Sequence, residues 1–337
     1  MNRRDFLMTG ALAGVAAGAV AASAASSPAS ETVAAAEPDG LNPPGIRVAG
    51  IKMIPVVGGK YKVWTKKIGH GSVKVLLLHG GPGIPHDYLE AMESFLPEAG
   101  IEIYYYDQLG AGNSDRPDDP SLWVIPRFVD ELEEVRQGLG LDHFVLYGHS
   151  WGGLLAIEYA LKYQQRLRGL VISNMAAGIQ AYLKRTNALR QLLSPAKQAR
   201  LKELEAAGDY ANPDYEAIMM EDLYPQVICR TQPWPEPVTR ALRLMNEQIY
   251  NAMQGKSEFE VTGTLKDWER WDRLHEIKVK TLTIGARYDE MDPEDMKKMA
   301  TLMPNARSAI CENGSHMAMW DDQAAYFKHL LGFLKTV

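Results

Sequence analysis

The chain has 337 residues, 46% of them hydrophobic and 23% charged, and a formal net charge of −6. Those are globular proportions with enough chain to bury a large core. The acidic balance leaves no basic footprint and excludes nucleic acid as a partner, and no internal repeat is visible.

The first residues predict a targeting segment rather than part of a fold. Arg3–Arg4 precede an apolar, Ala- and Gly-rich run from Phe6 to Val20, and Ala22–Ser23–Ala24 follows as a small-residue cleavage site. Residues 1–24 therefore read as a secretory signal of the twin-arginine kind, and the mature protein is expected to be exported, to the periplasm. The run is short for a spanning helix, so no stable membrane insertion is expected once the signal is removed. Residues 25–44, rich in Ala, Ser, Pro and Glu, read as a flexible leader.

Two extended segments open the folded part, near Ile46–Val57 and Lys60–Lys67, with a hairpin turn at Gly58–Gly59. Val73–His79 is a buried-type strand ended by Gly80–Gly81–Pro82–Gly83. A helical stretch from Asp87 to Pro97, a strand at Ile101–Tyr106, a helix from Phe128 to Leu139 and a strand at Phe144–Tyr147 follow. A helix then runs from Gly152 to Tyr163, apolar on most faces, and leads to a strand at Leu170–Ser173. From about Ala176 to Thr264 the alternation stops and the pattern is nearly all helical, with Leu242, Met245, Ile249 and Met253 in helical period. It resumes with a strand at Val279–Ile284, a helix at Pro293–Leu302, a strand at Ala306–Cys311 and a helix from about Asp321 to Leu334. The expected fold is α/β: a mostly parallel central sheet flanked by helices, formed by residues 45–175 and 265–337, with a helical cap inserted at 176–264. The two cysteines, Cys229 and Cys311, read as free structural thiols, one disulfide being the alternative in an oxidising compartment. They have no metal-ligand spacing, and nothing calls for a metal or other cofactor.

Gly148–His149–Ser150–Trp151–Gly152 matches G-x-S-x-G between a strand and a helix, the nucleophile turn of the α/β-hydrolase fold. Flanking side chains would collide with the strand or helix, hence the glycines. A serine hydroxyl needs a base, and in this fold the acid and the histidine come later in the chain. Asp289 and His316 each lie just past a predicted strand end, where sites form in parallel sheets. The predicted triad is Ser150, His316 as general base and then acid, and Asp289 holding the tautomer. Asp292, Glu290 and Asp107 are the other acids to weigh, Asp107 reading better as a salt-bridge or turn-capping residue. The oxyanion hole is expected from the N–H groups of Trp151 and Gly81. His79 and His86 read as structural or rim groups. His149 points the wrong way for a base.

His79–Gly80–Gly81–Pro82–Gly83, Asp107–Gln108–Leu109–Gly110–Ala111–Gly112–Asn113–Ser114 and Gly148–His149–Ser150–Trp151–Gly152–Gly153 together resemble the proline iminopeptidase family. Within it the likeness is to the branch of the tricorn-interacting aminopeptidase and the amino-acid amide hydrolases, from about Ile51 to the C-terminus. The resemblance implies release of an N-terminal residue, often proline, from a short peptide or amino-acid amide. It also implies two glutamates that hold the substrate's free α-amine, here Glu258 in the cap and Glu290 beside Asp289. Trp151, Tyr250, Phe259 and Trp268 either line a pocket for a proline-like ring or form lid core. An esterase or lactonase on the same triad, or a ligand-binding protein with the triad idle, are the alternatives. The sequence does not determine oligomeric state.

Overall fold

The computed structural model describes residues 49–337. The expected signal and leader, residues 1–44, lie outside the described residues. Eight strands form one sheet in the order β1-β2-β4-β3-β5-β6-β7-β8. They are β1 Ile51–Val56, β2 Tyr61–Ile68, β3 Val73–Leu78, β4 Ile101–Tyr106, β5 Phe144–His149, β6 Leu167–Ser173, β7 Thr281–Ala286 and β8 Ala306–Cys311. β1 and β2 pair antiparallel, β2 joins β4 antiparallel, and every later pairing is parallel. Strands β4, β5 and β7 are buried at every position, whereas edge strands β1 and β8 expose several. That is why the central strands read as unbroken apolar runs.

Alternate side chains feed two cores. Leu76, Leu78, Tyr104, Tyr106 and Leu146 pack on one face, and Val75, Leu77, Ile103, Tyr105 and Val145 on the other. On the first face lie α1 (Ile125–Leu139) and α2 (Trp151–Tyr163). Helix α1 starts three residues before the predicted Phe128, because Pro126 suits the first turn of a helix, and it ends at Gly140 in the left-handed region, φ +66°. The stretch expected as a helix from Asp87 is a 3-10 helix, His86–Ser94.

The cap comprises α3 (Ile179–Leu189), α4 (Pro195–Ala207), α5 (Pro213–Ala217), a π-helical turn Ile218–Leu223, α6 (Tyr224–Val227), α7 (Glu236–Arg243) and α8 (Glu247–Met253). After α8, residues 254–268 are largely irregular, which departs from the all-helical expectation. The helical row from Leu242 to Met253 is also divided. Asn246 ends it by capping α8, its Oδ1 accepting from Gln248 N at 3.1 Å. Then come α9 (Pro293–Leu302), α10 (Ala318–Asp321) and α11 (Gln323–Leu334). Among the described residues no helix is long and apolar enough to cross a membrane. Cys229 and Cys311 are free and buried.

Several ties hold the cap to the core. Arg240 on α7 pairs with Asp87 and Glu90 of the 3-10 helix. Val227 and Ile228 accept from His316 N and Met317 N at 2.9 and 2.8 Å. Asn246 donates from its backbone to Gly83 O at 3.0 Å and from its side chain to Gly110 O at 2.9 Å. Asn246→Ala therefore removes a helix cap and a cap-to-core bond together. The expected cost is about 1–2 kcal/mol, seen as a lower urea midpoint with unchanged slope.

Candidate active site

Ser150 is the single residue between β5 and α2, at φ +55° and ψ −129°. Residues with side chains seldom occupy this region, and the turn stores strain. The space around it explains its glycines. A Cβ on Gly148 would strike the Gly152 carbonyl, and one on Gly152 would strike the carbonyls of Leu78 and His79. Ser150 N donates to Ser173 O at 3.0 Å, which ties the turn to β6.

His316 follows β8 and Asp289 follows β7, and the structure brings them together: His316 Nδ1 donates to Asp289 Oδ1 at 2.8 Å. Asp289 is fully buried. Its Oδ2 accepts from Asn174 Nδ2 at 2.6 Å, and its Oδ1 also accepts from Met291 N at 3.0 Å. Asn174 was not singled out in the sequence, although its place just past the end of β6 is a signal for site residues in a parallel sheet. The rival acids lie elsewhere. Asp292 caps α9, accepting from Glu294 N, and Asp107 bonds His86. His316 Nε2 faces Glu290 Oε1 at 3.6 Å. Among the described residues the Ser150 hydroxyl makes no hydrogen bond. Serine–histidine contacts of this kind often tighten only when substrate is bound.

The Gly80–Gly81 loop passes directly over the serine. A Cβ on Gly80 would stand 2.9 Å from Ser150 Cβ and 3.3 Å from its Oγ. The backbone N–H groups of Gly81, at φ +109°, and Trp151 donate to no acceptor among the described residues. For Trp151 the reason is general, since the first N–H groups of a helix have no partner within it. Two free donors beside a hydroxyl suit a developing oxyanion.

The segment 107–114 holds this loop in place. Asp107 is fully buried and accepts from His86 N at 3.0 Å, His86 Nδ1 at 2.8 Å, Asn113 N at 2.9 Å and Asn113 Nδ2 at 3.0 Å. A Cβ on Gly112 would run into its carboxylate. Gln108 N donates to His79 Nε2 at 2.9 Å, Gln108 Nε2 to His79 O at 3.1 Å, and Trp151 Nε1 to Gln108 Oε1 at 2.8 Å. Burial pushes the His79 imidazole down to about 4, so it stays neutral and accepts from Gln108. His149 is enclosed too. Gly80 N donates to Tyr88 Oη at 2.7 Å, the Tyr88 hydroxyl meets His149 Nδ1 at 3.0 Å, and His149 Nε2 meets His316 O at 2.8 Å. One tautomer satisfies this chain, with Tyr88 donating to Nδ1 and Nε2–H donating to the carbonyl. Burial first, and His316 second, hold the His149 imidazole well below its usual range.

In the cap segment, Glu258 accepts from three phenols: Tyr182 at 2.5 Å, Tyr224 at 3.0 Å and Tyr250 at 2.6 Å. Burial, then the Glu258 charge, pushes all three phenols well above their usual range, so they remain donors. Burial also lifts Glu290 to about 8; His316 opposes the rise, and Glu258 and Asp289 add to it. Burial would lower His316, but Asp289 and Glu290 outweigh it and raise the imidazole to about 9. Of the proposed pocket aromatics, Trp268 donates to Glu158 on α2, Phe259 lies under the Arg190 guanidinium at 3.6 Å, and Trp151 packs edge-on against Phe128. Only Tyr250 reaches the glutamate. Among the described residues no group of three or more His, Cys, Asp or Glu side chains could hold a metal ion.

Asp107 and His86 make a stability prediction with a sign. Burial would raise Asp107, but the His86 charge and hydrogen bonds hold it down at about 2, so its stabilisation is complete above the ordinary carboxylate range and is lost as pH falls towards that value. Burial would lower His86, but Asp107 raises it, so its share is complete below the ordinary imidazole range and is lost at higher pH. The pair should stabilise most between about pH 4 and 6.5. Asp107→Asn should cost on the order of 3 kcal/mol at pH 6. It should also flatten the loss of stability between about pH 4 and 2, checked by denaturant titration across pH.

A family model described as alpha/beta hydrolase fold matches residues 74–323. The proline iminopeptidase of Elizabethkingia meningoseptica is 46% identical over 292 residues, 85% of this chain and 98% of that protein. Among solved structures, VinJ matches with a TM-score of 0.80 and 35% identity, and proline iminopeptidase from Mycobacterium smegmatis with 0.78 and 29%. Each match covers 85% of this chain and 98% of the other. The fold, the motifs and these likenesses agree, and the chain belongs to the proline iminopeptidase family of α/β hydrolases.

Proposed function

We propose that the protein is a serine aminopeptidase that releases an N-terminal residue, proline-like or small, from short peptides or amino-acid amides. Ser150 is the nucleophile. His316 Nε2 takes its proton as Oγ attacks the carbonyl, while Asp289 keeps Nδ1 protonated and balances the imidazolium. The N–H groups of Gly81 and Trp151 receive the oxyanion, each donor contributing on the order of 3 kcal/mol to the transition state. His316 returns the proton to the leaving nitrogen, the C–N bond breaks, and an acyl-enzyme remains. Water, deprotonated by His316, then releases the acid and restores Ser150.

The observation that carries this reading is the pair of acidic side chains beside the base. Glu258 is gathered from the cap by three tyrosines, and Glu290 lies 3.6 Å from the catalytic nitrogen. A cationic α-amine between the two carboxyl groups would place the adjacent carbonyl at Ser150, and a blocked amine would leave both unpaired. Access would pass under the cap, which favours short substrates.

Prolyl-4-nitroanilide and its N-acetyl form test this. The free amine should be favoured at least 100-fold in kcat/KM, and Glu258→Gln should remove at least tenfold of that preference. Equal cleavage of both forms would instead favour an esterase on the same triad. A fluorophosphonate probe should label the protein but not Ser150→Ala; no labelling of the unaltered protein would mean an idle triad. We also propose export through the Arg3–Arg4 signal. Replacing both arginines by lysine should retain the activity in the cytoplasm, measured by cell fractionation.

A further inference from the structure

We infer that Glu290 also gates the general base: in the substrate-free protein it engages the reactive nitrogen of His316, and the substrate's own ammonium group frees that nitrogen by taking Glu290 away. This rests on the aminopeptidase reading and concerns the same site.

The geometry gives the reason. His316 has two ring nitrogens, and Nδ1 is committed to Asp289 at 2.8 Å. Only Nε2 can receive the serine proton. That atom faces Glu290 Oε1 at 3.6 Å, within ion-pair range, while the Ser150 hydroxyl makes no hydrogen bond among the described residues. The charges around this pair are one-sided. Asp289 and Glu290 come from the loop after β7, and Glu258 comes from the cap. Asp321, on α10, adds a further negative charge that interacts with Asp289. Tyr182, Tyr224 and Tyr250 face the glutamates as neutral donors, and His149, 4.7 Å from the His316 ring, is neutral. Of the cations at this loop, Arg185 on α3 donates to the backbone carbonyls of Asp289 and Arg287 rather than to a carboxylate, and Arg287 pairs with Glu312 at 3.9 Å. The site therefore retains a proton. Glu290 is lifted by burial and His316, the higher of the two, by its acidic neighbours, so at neutral pH the pair holds at least one proton and the imidazole keeps it. The imidazolium then faces Glu290 Oε1 at 3.6 Å, an ion-pair contact rather than a hydrogen bond. The lone pair that Ser150 needs is occupied by that proton.

An ammonium group entering between Glu258 and Glu290 reverses this balance. It pairs with Glu290 and repels a positive imidazole, so the proton on Nε2 leaves to solvent. One cationic charge enters and one departs, and Nε2 is left as a free base. A substrate lacking the amine binds without this exchange and meets a blocked base. Selection for a free N-terminus then acts on kcat as well as on KM.

The test compares p-nitrophenyl acetate, which has no amine, with prolyl-4-nitroanilide. In the unaltered protein the acid limb of kcat/KM for the acetate, which reports the free enzyme, should lie at least one pH unit above the acid limb of kcat for the anilide. Glu290→Gln keeps the side-chain size. It should move the acetate limb down by about one unit and raise acetate hydrolysis at pH 7 about tenfold, while lowering kcat/KM for the anilide. Coincident acid limbs for the two substrates in the unaltered protein would overturn the inference without any variant. So would a Glu290→Gln protein, folded by its thermal transition, whose acetate limb stays in place. Failure of the aminopeptidase reading is a separate result: the unaltered protein would cleave free and N-acetylated anilide equally, wherever its acid limbs lie.

Discussion

The site depends on a single buried hydrogen bond, from His316 Nδ1 to Asp289. Asp289 has no exposure to water, so its charge must be met by protein donors. Asn174, Met291 and His316 supply them. With Nδ1 fixed as the donor, Nε2 is the basic nitrogen, and its direction follows from the ring's position. Much else around the triad either fixes that ring or sets what its second nitrogen meets.

Two hydrogen-bonded systems do the fixing from opposite sides. From the core, a chain through Gly80, Tyr88 and His149 links the oxyanion loop to the carbonyl of His316 itself. The donor loop and the base are therefore positioned against each other. From the cap, Val227 and Ile228 accept from the backbone of His316 and Met317. The cap is thereby hydrogen-bonded to the backbone of the histidine whose ring meets Asp289. The buried polar groups in the first chain are each satisfied, the condition under which such networks add rigidity.

The segment 107–114 has a different task. It touches neither the serine nor the catalytic histidine. Through Asp107 and Gln108 it holds His86, His79 and the indole of Trp151, and so the strand end, the glycine loop and the start of α2. Its glycine at 112 is required because a side chain there would displace the carboxylate. The motif serves the reaction by keeping backbone donors still, which is where much of the electrostatic stabilisation of an oxyanion originates.

Much of this was legible in the sequence, for local reasons. The strand–turn–helix around Ser150, the glycine loop and the strand ends carrying Asp289 and His316 depend on backbone sterics and on hydrophobic periods of two and 3.6, which act over short stretches of chain. The family likeness added Glu258 and Glu290. The Asn174 contact, the tyrosines around Glu258 and the Glu290–His316 approach were not legible. Apart from Tyr250, eight positions from Glu258, each joins residues tens to more than a hundred positions apart, and no local pattern encodes such a meeting. The cap's interruption at Asn246 was hidden for a related reason, since its apolar row kept helical spacing across the break. The sequence alone determined the architecture, the strand–turn–helix that carries Ser150 and its glycine-bearing motifs, because these rest on local geometry. Only the tertiary structure decided which groups hold the Asp289 carboxylate and which carboxyl faces the other nitrogen of His316, because burial and distance between remote side chains set both.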